Sequence, residues 1–439
     1  MSTNKSSVER QMGFWSIILF GVNGILGSGI FLLPGQGYNL FGPASILALC
    51  ADAVLVLMIG MCFAECAGLF SETGGAYLYA KTAFGPFVGY EVGVVTWAIR
   101  IIAEGTLYVA IATAIGGVYK PLATTTAKNI IVTIIGIILI LINLTGVKTS
   151  EVFNNVVTVA KLVPILLVAI VGLFFLHPAN FHPFFLPGST ANGFANATIT
   201  LFMVFTGIES LVITAGNMKD ASKNLPRALL LVILIVATIY ILVVVSCVGI
   251  LGSGLAHSSV PLQDAAQAVA GRAGESIIVI GTFLSMGGLA LNSSFISPRL
   301  AASLADNHQM PKKLGAENSK GAPYVAIIIH TCLAMAVAWS GSYTTLVAIS
   351  VVSRFAQYIP TCLAVLVFRK TKKDQKRSFK IPGGWFIPVL AVVASVWLLA
   401  HATAKQLILG FGALLIILPF YFITGQNKRD KALKENSGK

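Results

Sequence analysis

Seven ionisable residues lie inside stretches otherwise apolar enough to cross a bilayer: Asp52, Glu65, Arg100, Glu104, Lys161, Glu209 and Arg354. A charge at membrane depth is costly even after snorkelling and local hydration, so each is a candidate for ion pairing, proton transfer or substrate contact. In "TWAIRIIAEGTLY" (96–108), Trp97, Arg100, Glu104 and Tyr108 share one helical face, and Arg100 and Glu104, at i and i+4, can neutralise one another. Lys161, in "TVAKLVPIL" (158–166), is either buried or snorkels to the nearer interface. Arg354 shares a polar stripe with Ser350, Ser353 and Gln357, and can pair with Glu104 or Asp52; Ser285, Gly288 and Asn292 form a second stripe. Glu65 lies near the end of its stretch, where a gating hydrogen bond and plain snorkelling are equally open.

No metal or cofactor is expected. Cys62 and Cys66 share a helix face but lack further ligands, and all six cysteines fall within apolar stretches as small hydrophobes. The six histidines are scattered, mostly near span ends, and no HExxH site, Ser–His–Asp order or glycine-rich phosphate loop argues for an enzyme.

Such residues need elements that can carry them through lipid. The 439-residue chain is 56% hydrophobic and 10% charged, with mean hydropathy +0.85, too little charge to cover a soluble protein. Each crossing helix needs about 20 apolar residues. Twelve candidate spans lie near 12–34, 41–68, 85–116, 127–145, 150–176, 193–216, 226–251, 273–303, 323–340, 343–368, 383–400 and 402–424. The amino-terminal stretch is expected to remain as a span, because no small-residue cleavage site follows it. With an even number of spans, 23 of the 30 Lys and Arg fall on one side and 4 on the other. That asymmetry predicts cytoplasmic termini and explains the net charge of +14 without nucleic acid. "RKTKKDQKRSFK" (369–380) then reads as a solvated, lipid-facing loop. A homodimer is compatible with the chain, which nowhere specifies one.

Two spans are interrupted by polar and glycine residues. The first holds "GILGSGIF" (24–31), the sixth "FMVFTGIESLVITAG" (202–216), and the breaks are roughly 180 residues apart. The same offset carries the third span onto the eighth, a pattern of two five-helix units followed by two extra helices. Matching interrupted segments in two halves point to a secondary transporter's binding site. An unwound backbone must face protein or a water-filled cavity. The start of a resumed half-helix offers N–H groups and positive dipole to a carboxylate, and the end of the preceding half-helix offers carbonyls to an ammonium. Together they form a receptor for a zwitterion such as an α-amino acid.

These segments resemble the amino acid–polyamine–organocation transporter superfamily. The similarity rests on "GSGIFLLP" (27–34), the loop "ETGGAYLYAKTAFGPFVGYEVG" (72–93), "FTGIES" with "KNLPRA" (205–210, 223–228) and "SPRLAASLADNHQMPK" (297–312). It implies an all-α membrane fold of twelve helices: a LeuT-like five-plus-five inverted repeat over 1–180 and 181–370, helices 1 and 6 broken, and two further helices with a tail over 371–439. It also implies alternating access and an amino acid or amine substrate. The first three helices and the sixth look especially similar to arginine/agmatine antiporters. By that likeness Ser28 and Gly29 hold the carboxylate, the carbonyls of Ile25, Met203 and Thr206 receive the α-ammonium, and Gly27 and Gly207 complete the substrate-binding candidates. Met203 stands where those antiporters carry an aromatic residue, for which Phe202 or Phe205 can substitute. Glu104 matches the position that meets a guanidinium, favouring a cationic tail unless Arg100 quenches it. Glu209 corresponds to an acid linked to gating or proton coupling. Lys161 resembles the fifth-helix lysine that replaces Na⁺ in proton-coupled and exchange-type relatives, so contact with first-helix carbonyls around Val22 and Ile25 is expected, together with sodium independence. Arg100 and Arg354 complete the coupling and gating candidates.

Overall fold

The computed structural model describes residues 12–70, 75–145, 151–213, 218–306 and 309–423, and among these there is no strand, only an isolated parallel bridge between Met12 and Met218. Glu72, Thr73 and Gly74 of the 72–93 segment, the carboxyl-terminal tail and the amino-terminal residues before Met12 lie outside the described residues.

The chain forms α1 (Phe14–Ile25), α2 (Gly29–Phe41), α3 (Ser45–Ala67), α4 (Gly75–Phe84), α5 (Pro86–Val118) and α6 (Thr125–Leu144). It continues with α7 (Glu151–Leu166), prolonged by a π turn and a 3₁₀ turn to Phe175, then α8 (Ala191–Phe202) and α9 (Glu209–Ile213). The remainder comprises α10 (Ala221–Leu251), α11 (Pro261–Asp306), α12 (Tyr324–Trp339), α13 (Tyr343–Thr371), α14 (Phe386–His401) and α15 (Ala404–Ile423). α11 is two helices joined across a kink, where Gly271 takes φ +59°.

Eight helical stretches among the described residues are long and apolar enough to cross a membrane. α14 and the start of α15, bent by 119°, can make a ninth, while α1 and α12 are shorter apolar helices. Large side chains left outward, such as Ile130, Ile134 and Leu141 on α6, are about half exposed, as a lipid-facing helix requires. Helices fall in the regions of the expected spans among the described residues, but eight or nine of them, rather than twelve, are long and apolar enough to cross. The 72–93 segment differs: it contains α4, whose Ala76, Tyr79 and Ala80 are buried, so it is a docked amphipathic helix rather than a loop.

Two groups of helices frame the interior. α3 packs on α10 and α8, α1 packs on α10, and α2 packs on α8. Opposite them, α5 packs on α11, α12 and α13, and α6 on α12.

Candidate functional site between two broken helices

α1 ends because Leu26 leaves the helical region, with ψ at 85°, before α2 resumes at Gly29. α8 passes into a 3₁₀ turn (Met203–Phe205), then Thr206 is extended and Gly207 takes φ +112°. The two breaks touch. A Cβ on Gly207 would collide with the carbonyl oxygen of Gly24, and one on Gly29 would come within 3.0 Å of Val204 Cγ1 and 3.2 Å of its Cα. Glycine is required at 207 both for its left-handed φ and for this approach.

Helix ends leave backbone groups without helical partners, and here those of α1 can be followed individually. Val22 C=O accepts the Leu26 N–H at 2.9 Å, the last bond of the helix. The Lys161 ammonium donates to the carbonyls of Asn23 (2.7 Å) and Leu26 (2.6 Å). Ile25 C=O accepts the Tyr240 hydroxyl at 3.2 Å, and Leu26 C=O also accepts from Ser285 at 3.4 Å. Lys161 is fully buried and therefore does not snorkel. Its carbonyl partners are Asn23 and Leu26 rather than Val22 and Ile25, whose carbonyls α1 and Tyr240 already engage.

A cavity of about 120 Å³ lies against both breaks. Ile25, Gly27, Ser28, Gly29, Met203, Thr206, Gly207 and Glu209 line one side, and Arg100, Glu104, Asn292, Ser293 and Arg354 the other. Ser28 accepts a hydrogen bond from Tyr343 at 3.3 Å. Met203 C=O accepts both the N–H and the hydroxyl of Thr206, at 3.1 and 2.8 Å, so one of the three carbonyls expected to meet an ammonium is already doubly engaged. Phe202 and Phe205 do not line the cavity. The 3₁₀ turn directs Phe205 onto Tyr240 and Phe202 onto Phe355 and Tyr358, while Phe20 of α1 is the ring at the cavity wall.

The buried charges pair differently from the sequence expectation. Glu104 does not pair with Arg100 within α5. Its carboxylate accepts from Tyr108 (2.6 Å), from Ser293 of α11 (3.0 Å) and from His330 Nε2 of α12 (3.0 Å). Gly105 makes this possible, since a Cβ there would stand 2.6 Å from the Ala334 carbonyl and hold α12 away. His330 Nδ1 has no hydrogen-bond partner among the described residues. Sequence reasoning passed over His330. The available signal was an imidazole in the middle of an apolar helix, which is as exceptional there as a carboxylate. Arg354 pairs with Glu209, not with Glu104 or Asp52. Glu209 also accepts from Tyr358 (3.0 Å) and from the Gly207 N–H (3.1 Å), tying the second break to α13. Ser350 and Ser353 remain within α13, while Gln357 accepts from Thr96 of α5 at 3.4 Å, so that stripe chiefly bridges helices. Of the other stripe, Ser285 reaches the first break and Asn292 the cavity.

Towards the basic segment, Glu65 neither snorkels nor stands alone. It accepts from Arg369 and Arg377 and from the Ile381 N–H (2.8 Å). The 369–380 segment is therefore folded back on α3 at these two arginines, because a buried carboxylate needs cationic partners and this segment supplies them. No group of three or more possible metal ligands occurs among the described residues.

Two broken helices in contact beside a cavity, within an assembly of long apolar helices, are the features of a multi-pass membrane protein. The chain belongs to the amino acid permease family, whose sequence profile matches residues 12–424. It is 28% identical to a serine/threonine exchanger of Bacillus subtilis over 98% of this chain and 99% of that protein. It is 25% identical to a branched-chain amino acid permease of the same organism, covering 96% and 94%. An uncharacterized transporter of Mycobacterium tuberculosis is 29% identical, covering 89% and 87%.

Proposed function

We propose that this protein is a secondary active transporter of amino acids, working by alternating access and independent of sodium, through proton coupling or substrate/product exchange. The observation that carries the reading is the capture of the first break's carbonyls by the Lys161 ammonium, a fixed cation among α1, α7 and α11. A tethered charge satisfies those carbonyls without Na⁺, and an ammonium can exchange a proton where a metal ion cannot. Substrate binds with its carboxylate at the amides of Ser28 and Gly29, where α2 begins, and its ammonium at the Thr206 carbonyl and the free lone pair of Ile25 C=O. The family membership and the exchanger and permease among its relatives support an amino acid cargo.

The helices serve as twelve crossings in two inverted units, 1–180 and 181–370, with 371–439 appended and both termini cytoplasmic. The group around α1, α8 and α10 rocks against α5, α6, α11 and α12. An amine exchanger is disfavoured by Glu104, whose oxygens already accept from three donors and offer little to a cationic tail. Counterflow in proteoliposomes against a panel of amino acids and amines tests the proposal. Exchange of amino acids is the expected result. Uptake of amines without any amino acid would overturn it, as would binding without counterflow, the behaviour of a sensor.

A further inference from the structure

Arg100 lines the cavity yet makes no hydrogen bond and no ion pair within 4.0 Å among the described residues. Both carboxylates that could meet it are engaged. Glu104 is held by Tyr108, Ser293 and His330, and Glu209 by Arg354, Tyr358 and the Gly207 amide. A guanidinium carries five N–H donors in a planar fork that fits a carboxylate bidentately, and Arg100, part-buried, presents them at the cavity without a protein acceptor within hydrogen-bond distance among the described residues. The charge count agrees. Around the cavity and the first break, three cations (Lys161, Arg100 and Arg354) face two carboxylates (Glu104 and Glu209), a surplus of one positive charge.

We propose that Arg100 binds an anionic side chain, so that the preferred substrates are amino acids carrying a second carboxylate, of the glutamate or aspartate type. This rests on the amino acid reading above, in which the amides at Ser28 and Gly29 take the α-carboxylate and leave Arg100 for a further one. The acidic side chain docks on the α5 wall of the cavity, restores charge balance there and supplies the guanidinium with a bidentate acceptor. Cationic tails are repelled by the same surplus charge.

Glutamate and glutamine are matched probes, because they share the α-amino acid head and nearly the same shape. Counterflow uptake of each is measured in proteoliposomes containing wild type, Arg100→Gln or Arg100→Lys. Wild type favours glutamate. Arg100→Gln lowers the glutamate-to-glutamine ratio at least about tenfold, the low end of what one charge-assisted pair supplies. Arg100→Lys retains part of the preference, as a point charge without the fork. Equal loss of both substrates in Arg100→Gln would overturn the assignment, showing that Arg100 serves the shared head. So would glutamine uptake by wild type that glutamate does not inhibit, a measurement needing no variant. Uptake of no amino acid by wild type would instead overturn the transport reading itself.

Discussion

Lys161 directs two hydrogen bonds at carbonyls that the end of α1 leaves without helical partners. Removing it would take a charge-assisted bond from each of the Asn23 and Leu26 carbonyls, at about 1–3 kcal/mol each, leave Leu26 with the longer bond from Ser285, and leave the break without its cation. Lys161→Ala is therefore expected to lower counterflow at least about tenfold and to flatten its pH dependence over roughly pH 5–8, the range a coupling lysine must serve. Wild-type rates across that range would contradict the assignment. Substitution to alanine also removes a fully buried stem, so protein recovered by size exclusion must be compared at equal monodispersity. The need of this lysine for acceptors was legible in the sequence, because an ammonium well inside an apolar stretch is costly unless buried acceptors meet it. Which carbonyls those are was not legible, since they depend on which carbonyl the helix uses last and on Tyr240, more than 200 residues away. The same limit applies to Glu104 and Glu209. An i,i+4 spacing suggested Arg100 for the first, yet the close approach that Gly105 allows between α5 and α12 brought His330 instead.

At the scale of elements, the breaks are the clearest case of sequence dictating structure. Glycine, serine and threonine concentrated within otherwise apolar runs mark where the backbone leaves the helix, and both breaks fall where those residues cluster. What sequence could not give was their contact, which is made by Gly24 against Gly207 and Gly29 against Val204. Gly207→Val would place a branched side chain at φ +112° and against the Gly24 carbonyl, costing at least about 1–3 kcal/mol and forcing the breaks apart. Loss of substrate binding with helical content retained in circular dichroism is expected. Unchanged affinity would show that contact between the breaks is not needed.

The basic segment that begins in the last turn of α13 teaches the converse lesson. Seven basic residues read as solvent-facing, and the overlooked constraint was Glu65, a buried carboxylate that had to find cations. Glu65→Gln should release Arg369 and Arg377, and amide exchange at Ile381 should quicken at least about tenfold as its acceptor weakens. Unaltered protection would mean that the segment is held by other contacts, such as Gln375 on the Leu69 carbonyl.

For the whole molecule, the apolar composition, the positions of the helices and the two interruptions were enough to anticipate an all-helical membrane fold with a cavity against the interruptions. Which helices pack together was beyond reach, because lipid-facing and protein-facing apolar residues look alike in sequence; half of the isoleucines of α6 are exposed and the rest half-buried, while most of α5 is buried. The resulting architecture sets two helical groups on either side of a cavity, with the Lys161 ammonium on the carbonyls of Asn23 and Leu26 at the first break. The most direct test is counterflow of labelled amino acids into preloaded proteoliposomes, in buffer free of sodium and again with an inward sodium gradient. The account predicts robust exchange without sodium and no stimulation by the gradient. Exchange that appears only with sodium would contradict it, because Lys161 could then not be acting as the fixed cation of the first break.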